Sequence, residues 1–181
     1  MDGEGVLVAN TDKVDFSRRA DTKLDRCNYY LPGGPGIFKA LFERPCMMQR
    51  CPDGVEGEAI YQKRVPANRP EWLETVIVTF PSGRSADELC PTDIAHVLWA
   101  VNLGCLEMNP WNVRRDDVDH PDELRVDLDP QPGLPYSMVQ DVAAAVHEVL
   151  EEHDLVGFPK TSGSRGIHVN IRIEARWDFL E

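Results

Sequence analysis

Arg125-Val126-Asp127-Leu128-Asp129 and, one helix length later, Ser162-Gly163-Ser164-Arg165-Gly166-Ile167-His168 decide how this chain is read. Alternation along a strand places Asp127 and Asp129 on one face and Val126 and Leu128 on the other. The second run gathers glycine amides, two hydroxyls, a guanidinium and an imidazole within one short turn. Two carboxylates that can hold hard divalent cations, beside a cradle for phosphate, form the chemical kit for moving nucleotides.

The flanking pattern predicts the elements that carry these residues. A strand over Arg125 to Asp129 precedes a helix from Met138 to His153, opened by a capping box of Ser137 and Gln140. Met138, Val139, Val142, Val146, Val149 and Leu150 form the apolar stripe of that helix. A strand around Val156 to Lys160, a tight turn and a strand over Ile167 to Ile173 follow. In the last, Ile167, Val169, Ile171 and Ile173 alternate with His168, Asn170, Arg172 and Glu174. The β-α-β-β order is that of a ferredoxin-like or RNA-recognition-like half-domain, with the helix on one sheet face and Asp127, Asp129 and His168 on the other. Upstream, Glu74 to Phe80 reads as a strand. Thr92 is placed as the cap of a helix running through Leu103, with Gly104 as its stop. Leu31 to Gly36, Pro81 to Gly83 and Pro130 to Gly133 read as loops.

Size and charge narrow the classes. The 181 residues suit one domain, and 42% hydrophobic content supports a packed core. A net charge of -12 argues against a generally basic nucleic-acid coat but leaves room for local basic grooves. Basic residues do cluster, at Arg18, Arg19, Lys23 and Arg26, at Lys63 and Arg64, and at Lys160 and Arg165. Cys27, Cys46, Cys51, Cys90 and Cys105 lack zinc-ligand spacing and read as reduced structural thiols. Met1 to Gly5 has no signal-peptide character, and no segment reaches membrane-spanning length, so the expected location is cytoplasmic.

Asp-x-Asp alone also suits a solvated strand, and a Gly/Ser run also suits a plain hairpin turn. Oxygen-only ligands favour Mg²⁺ or Mn²⁺ over zinc. Carboxylates at i and i+2, about 7 Å apart along a strand, can reach one metal ion or bracket two. Lys63 adds a possible phosphate contact, with an ordinary surface lysine as the plainer alternative.

Taken together, the residues resemble the polymerase domain of bacterial DNA ligase D, a branch of the archaeo-eukaryotic primase superfamily, in its stand-alone actinobacterial type. The resemblance runs through Asn10 to Val14, Arg50 to Gly54, Tyr61 to Lys63, Asn102 to Glu107, Asn109 to Trp111, the Asp-Leu-Asp-Pro run and Pro159 to Val169. It implies an α+β, primase-like catalytic fold containing the β-α-β-β unit, with its C-terminal part missing. The whole of 1–181 would then be a single incomplete domain, with an N-terminal α/β part over 1–115 and both motifs in 116–181.

By resemblance, Asp127 and Asp129 hold two Mn²⁺ (or Mg²⁺) ions and, with His168, form the catalytic group. Ser162, Ser164, Arg165 and His168 bind the triphosphate of the incoming NTP or dNTP, with Lys63 and Lys160 beside it. Lys13 and Lys23 grip the 5′-phosphate of a DNA end. The implied activity is nucleotidyl transfer, preferentially of ribonucleotides, to the 3′-hydroxyl at gapped or broken DNA ends in non-homologous end joining, by two-metal phosphoryl transfer. Ku and an ATP-dependent DNA ligase are the implied partners, and the implied setting is nucleoid-associated. The family also has a third catalytic carboxylate on a later strand, for which this sequence offers only Glu174, Asp178 and Glu181, none in the family's context. A DNA 5′-phosphate end-binding module without catalysis is therefore the alternative. An unrelated metal-dependent hydrolase fits only the bare Asp pair.

Overall fold

The structure, a computed structural model, describes residues 5–180. Met1 to Glu4, and with them most of the segment read as lacking a signal, lie outside the described residues, as does Glu181. The fold is mixed α/β, with three helices and three sheets among the described residues, in two compact units that divide between Asp116 and Asp117.

In the first unit a short ribbon, β1 (Val14–Phe16) and β2 (Asp21–Thr22), leads into helix α1 (Lys23–Leu41). Thr22 and Asp25 cap α1 reciprocally: Asp25 N donates to Thr22 Oγ1 at 3.2 Å, and Thr22 N donates to Asp25 Oδ2 at 2.8 Å. The run Leu31 to Gly36, read as a loop, lies inside this helix, with Pro32 and Pro35 both helical. Packing overrides the local breakers here. Cys27 and Leu41 are buried with Val97 and Val101 of helix α2 (Ile94–Asn102), and a Cβ on Gly34 would stand 3.4 Å from Ile94 Cδ1. The helix is thus held by its neighbour rather than by propensity.

Behind the helices lies an antiparallel sheet of β3 (Cys46–Arg50), β4 (Ile60–Gln62), β5 (Thr75–Thr79), β6 (Ser85–Leu89) and β7 (Cys105–Pro110). The strand expected over Glu74 to Phe80 is β5, joined to β6 by the Pro81 to Gly83 turn. The cap of α2 is Asp93, not Thr92: Asp93 Oδ1 accepts from Ala95 N at 2.8 Å and from His96 N at 3.3 Å. The Thr92 hydroxyl instead donates to Glu74 Oε1 at 3.0 Å. Gly104, at φ 87°, ends this segment as expected.

All five cysteines are free and buried. Burial pushes the Cys90 thiol up to about 11 and the Cys105 thiol up to about 12. Since the thiolate is the nucleophile, neither should react with a thiol reagent at pH 8 while the fold is intact. Native labelling at these two positions should track global unfolding, and rapid labelling before denaturant is added would contradict the burial.

Glu88 is a second buried group with a readable consequence. Its Oε2 accepts from Trp111 Nε1 at 2.8 Å, while Oε1 has no partner. Burial raises this carboxyl above its ordinary value, against the Trp111 hydrogen bond and the Lys63 charge. The folded protein therefore holds this proton more tightly than the unfolded chain, and stability falls as pH rises through the window above 4.5. Glu88→Gln should flatten that dependence and match or exceed the parent's stability at pH 8. Glu88→Ala removes the acceptor of the Trp111 N–H and should cost about 1–3 kcal/mol in denaturant unfolding.

The second unit is a three-stranded antiparallel sheet with one helix across it. Strand β8 (Glu123–Leu128), helix α3 (Tyr136–Glu152), β9 (Gly157–Thr161) and β10 (Ile167–Arg172) follow in the expected β-α-β-β sequence, with spatial order β8-β10-β9. Ile167, Val169 and Ile171 are buried with Val139 and Leu150, and Val126, Leu128 and Val146 pack against them. The alternation read in β8 and β10 is therefore the one observed.

The start and the stripe of α3 differ from expectation. Its N-cap is Pro135, with no side-chain cap, so Ser137 and Gln140 lie within the helix rather than forming a capping box. Met138, Val142 and Val149 are exposed, because a three-stranded sheet covers only the line through Val139, Ala143, Val146 and Leu150. Gly157 sets how closely that line approaches. A Cβ there would come within 2.6 Å of Leu150 Cδ1 and 2.9 Å of Val169 Cγ1.

Candidate active site

Strand register in the second unit brings the two motifs together. His168 on β10 faces Asp127 on β8 in one direction and Lys160 on β9 in the other. Directly opposed residues of an antiparallel pair share a face, so Asp127, His168 and Lys160 form a row across the sheet, opposite the face covered by α3. His168 Nε2 lies 3.4 Å from Asp127 Oδ1. The Lys160 ammonium donates to Thr161 O at 3.3 Å.

The Ser162 to Gly166 turn closes on itself. Ser162 N donates to Gly166 O at 3.0 Å, and Gly166 N donates to Ser162 Oγ at 3.0 Å. Gly163, at the bend, takes φ 90°. This leaves Ser164 and Arg165 exposed at the tip. The turn sits against the end of β8: a Cβ on Gly166 would meet Asp129 Oδ1 first, Leu128 O at 2.9 Å and Ser162 Oγ at 3.1 Å. Asp129, Ser162, Ser164, Arg165 and His168 thereby line one concavity of about 390 Å³. Lys160 and Asp127 stand in the adjoining row.

The donor set fits a hard divalent cation. Asp127 and Asp129 supply oxygen only, and both are exposed, so neither is committed to the core. A cation of the Mg²⁺ or Mn²⁺ kind is characteristically held by one or two carboxylates plus substrate phosphates and water. Among the described residues, no group of three or more His, Cys, Asp or Glu side chains is placed to hold a metal. Glu174 is exposed and pairs with Arg176 at 3.6 Å, and Asp178 accepts from Leu180 N at 2.6 Å. Neither joins Asp127 and Asp129 in such a group.

The remaining expected site residues belong to the first unit. The Lys63 ammonium stands 4.0 Å above the centre of the Phe80 ring, in a concavity of about 820 Å³ that Trp111 also lines. Lys13 and Lys23 are brought together at the ribbon-to-helix junction, where Lys23 N donates to Lys13 O at 2.8 Å. The half-buried Lys13 ammonium donates to Pro52 O. Lys23 is buried, its ammonium donating to Asn102 O at 3.0 Å. Burial pulls the Lys23 ammonium below its ordinary range, with Asp15 opposing that shift.

Sequence reading missed the group beneath these lysines. Asp15 is buried, with Oδ1 3.9 Å from Lys13 Nζ and Oδ2 3.0 Å from Arg26 Nη2. Arg26 is buried too, and its Nη2 also donates to Val101 O at 2.6 Å. Asp15 falls on a three-residue strand and Arg26 on α1, so no spacing rule joins them.

A family model described as LigD, primase-polymerase domain, matches residues 22–181. The chain belongs to that family. The multifunctional non-homologous end joining protein LigD of Mycolicibacterium smegmatis is 30% identical over 170 residues, which is 93% of this chain and 22% of that protein. The bifunctional non-homologous end joining protein LigD of Bacillus subtilis is 27% identical over 161 residues, 88% of this chain and 25% of that protein. The chain thus spans about a quarter or less of these relatives' length. Among solved structures, the polymerase domain of Mycobacterium tuberculosis ligase D in complex with DNA superposes with a TM-score of 0.83 at 26% identity, covering 95% of this chain and 62% of that one. The fold of this LigD-family chain is therefore that of the ligase D polymerase domain. Among the described residues, no helix is long and apolar enough to cross a membrane.

Proposed function

We propose that this chain catalyses nucleotidyl transfer at DNA ends: attack of a DNA 3′-hydroxyl on the α-phosphorus of a nucleoside triphosphate, with release of pyrophosphate. The observation that carries this reading is the junction of the two motifs, with Asp129, Ser162, Ser164, Arg165 and His168 around one concavity and Asp127 3.4 Å from the His168 ring. A divalent cation held by Asp127 and Asp129 would supply Lewis-acid activation of the hydroxyl and charge neutralisation on the phosphates. The chain's own groups do the positioning. Arg165 offers a guanidinium fork to phosphate oxygens, and the exposed Ser164 hydroxyl and the turn amides add neutral donors. The His168 ring lies beside the Asp127 carboxylate, while Lys160 extends the row with a positive charge.

Lys13 and Lys23 are assigned to the 5′-phosphate of a DNA end, a compact dianion suited to two ammonium groups. Lys63 is assigned to the nucleotide. The setting we assign is non-homologous end joining, with Ku and an ATP-dependent DNA ligase as partners and a preference for ribonucleotides. The names of the LigD relatives support that setting.

The test is extension of a gapped DNA bearing a 5′-phosphate, with labelled ribonucleotide and Mn²⁺. Extension that requires the phosphate supports both assignments. The absence of a third acid beside Asp127 and Asp129 among the described residues favours one alternative, an end-binding module without catalysis. Phosphate-dependent DNA binding with no extension would select it.

A further inference from the structure

A second concavity in the first unit, of about 640 Å³, carries the groups that a flat heteroaromatic ring would need. Phe16, Tyr29 and Tyr30 line it. Tyr29 is 75% exposed and meets Tyr30 edge-on, at 5.6 Å and 84°, which leaves ring surface uncovered. Arg26 lines the same space, and its Nε and Nη1 are buried without a hydrogen-bond partner. Unpartnered guanidinium N–H groups in a buried position are costly and call for an acceptor.

We propose that this cavity receives the 5′-terminal nucleobase of a DNA end whose phosphate rests on Lys13 and Lys23. The proposal depends on the assignment of those lysines. Continuity supports it: Asp15 lies 3.9 Å from Lys13 Nζ and 3.0 Å from Arg26 Nη2, so one buried carboxylate joins the phosphate grip to the cavity wall. Charge supports it as well. Asp21, Asp25 and Glu107 also line the cavity, and Arg19 is engaged with Asp21 at 2.9 Å, so the space repels a second phosphate. A nucleobase is neutral and stacks on aromatic rings whatever its sequence. Arg26 would donate to a ring nitrogen or carbonyl, and exposed Glu107 would accept from an exocyclic amine.

The test compares 5′-phosphorylated DNA ends that finish in adenine or in an abasic residue, bound to the parent and to Tyr29→Ala, by fluorescence anisotropy. Tyr29 is an exposed ring on the surface of α1, so its truncation leaves the packed face intact. The parent should bind the adenine end about tenfold more tightly than the abasic end, the size of one base stacked on an aromatic ring. Tyr29→Ala should bind both ends equally, and Tyr29→Phe should restore the difference. Equal loss on both ends, or no difference in the parent, would overturn the proposal. So would displacement by free adenosine 5′-monophosphate at the concentration of the DNA end itself, which would mark a site for loose nucleotides. Unphosphorylated ends separate the two assignments. Preference for phosphate without base coupling overturns the cavity alone, while base coupling without phosphate preference overturns the lysine assignment.

Discussion

Replacing Asp127 and Asp129 together by alanine is expected to abolish nucleotide addition while leaving the fold and DNA affinity intact. Both carboxylates are exposed, one near the end of β8 and the other just beyond it, so their loss removes no packed surface. Stability should stay within about 0.5 kcal/mol of the parent, as for surface substitutions generally. The rate should fall by on the order of a thousandfold or more, since carboxylates that hold a catalytic cation account for several kcal/mol of transition-state stabilisation. Extension of gapped, 5′-phosphorylated DNA in Mn²⁺ measures the rate, and thermal melting measures the fold. Undiminished extension by the double variant would place catalysis elsewhere on the chain.

Gly166→Ala should be the most damaging single-methyl change in the second unit. The added carbon would run into the Asp129 carboxylate and stand 2.9 Å from the Leu128 carbonyl oxygen and 3.1 Å from Ser162 Oγ. The carboxylate can swing aside, but the backbone carbonyl can move only if the end of β8 shifts. The turn must then open at Gly166 N to Ser162 Oγ, or the strand end must retreat. Either response separates Asp127 and Asp129 from the Ser162 to Gly166 turn. Overpacking of this kind costs about 1–3 kcal/mol of stability, and addition should fall by about a hundredfold, because small misplacements near reacting atoms are amplified in rate. A variant that extends DNA like the parent would show that the turn and the strand end need not touch.

The elements of the second unit were legible because burial imposes a period. In β10 each isoleucine or valine faces α3 and each polar residue faces away, so one reading of the sequence fixes both core and site. Elsewhere local chemistry misled where tertiary packing outranked it. Pro32 and Pro35 look like loop residues, yet α1 runs through them because Cys27 and Leu41 must reach Val97 and Val101. Thr92 and Asp93 are both good caps, and Glu74 decides between them by taking the Thr92 hydroxyl. Asp15 and Arg26 were illegible for a different reason. A charged residue in sequence looks solvated, and nothing in the spacing of these two announces that each is buried against the other.

The pairing of His168 with Asp127 also bears on how such a chain can diverge. Because the same alternation sorts core from site, inserting or deleting one residue within Glu123–Leu128 would turn Val126 and Leu128 outward and carry Asp127 into the hydrophobic layer. Misfolding would accompany loss of the acidic face, so such a change would act first on stability. Point substitutions escape this coupling, since Asp127 can change without disturbing its neighbours across the sheet. Descendants of this fold can therefore lose the acids of this face one side chain at a time, while the alternating spacing stays fixed in their strands.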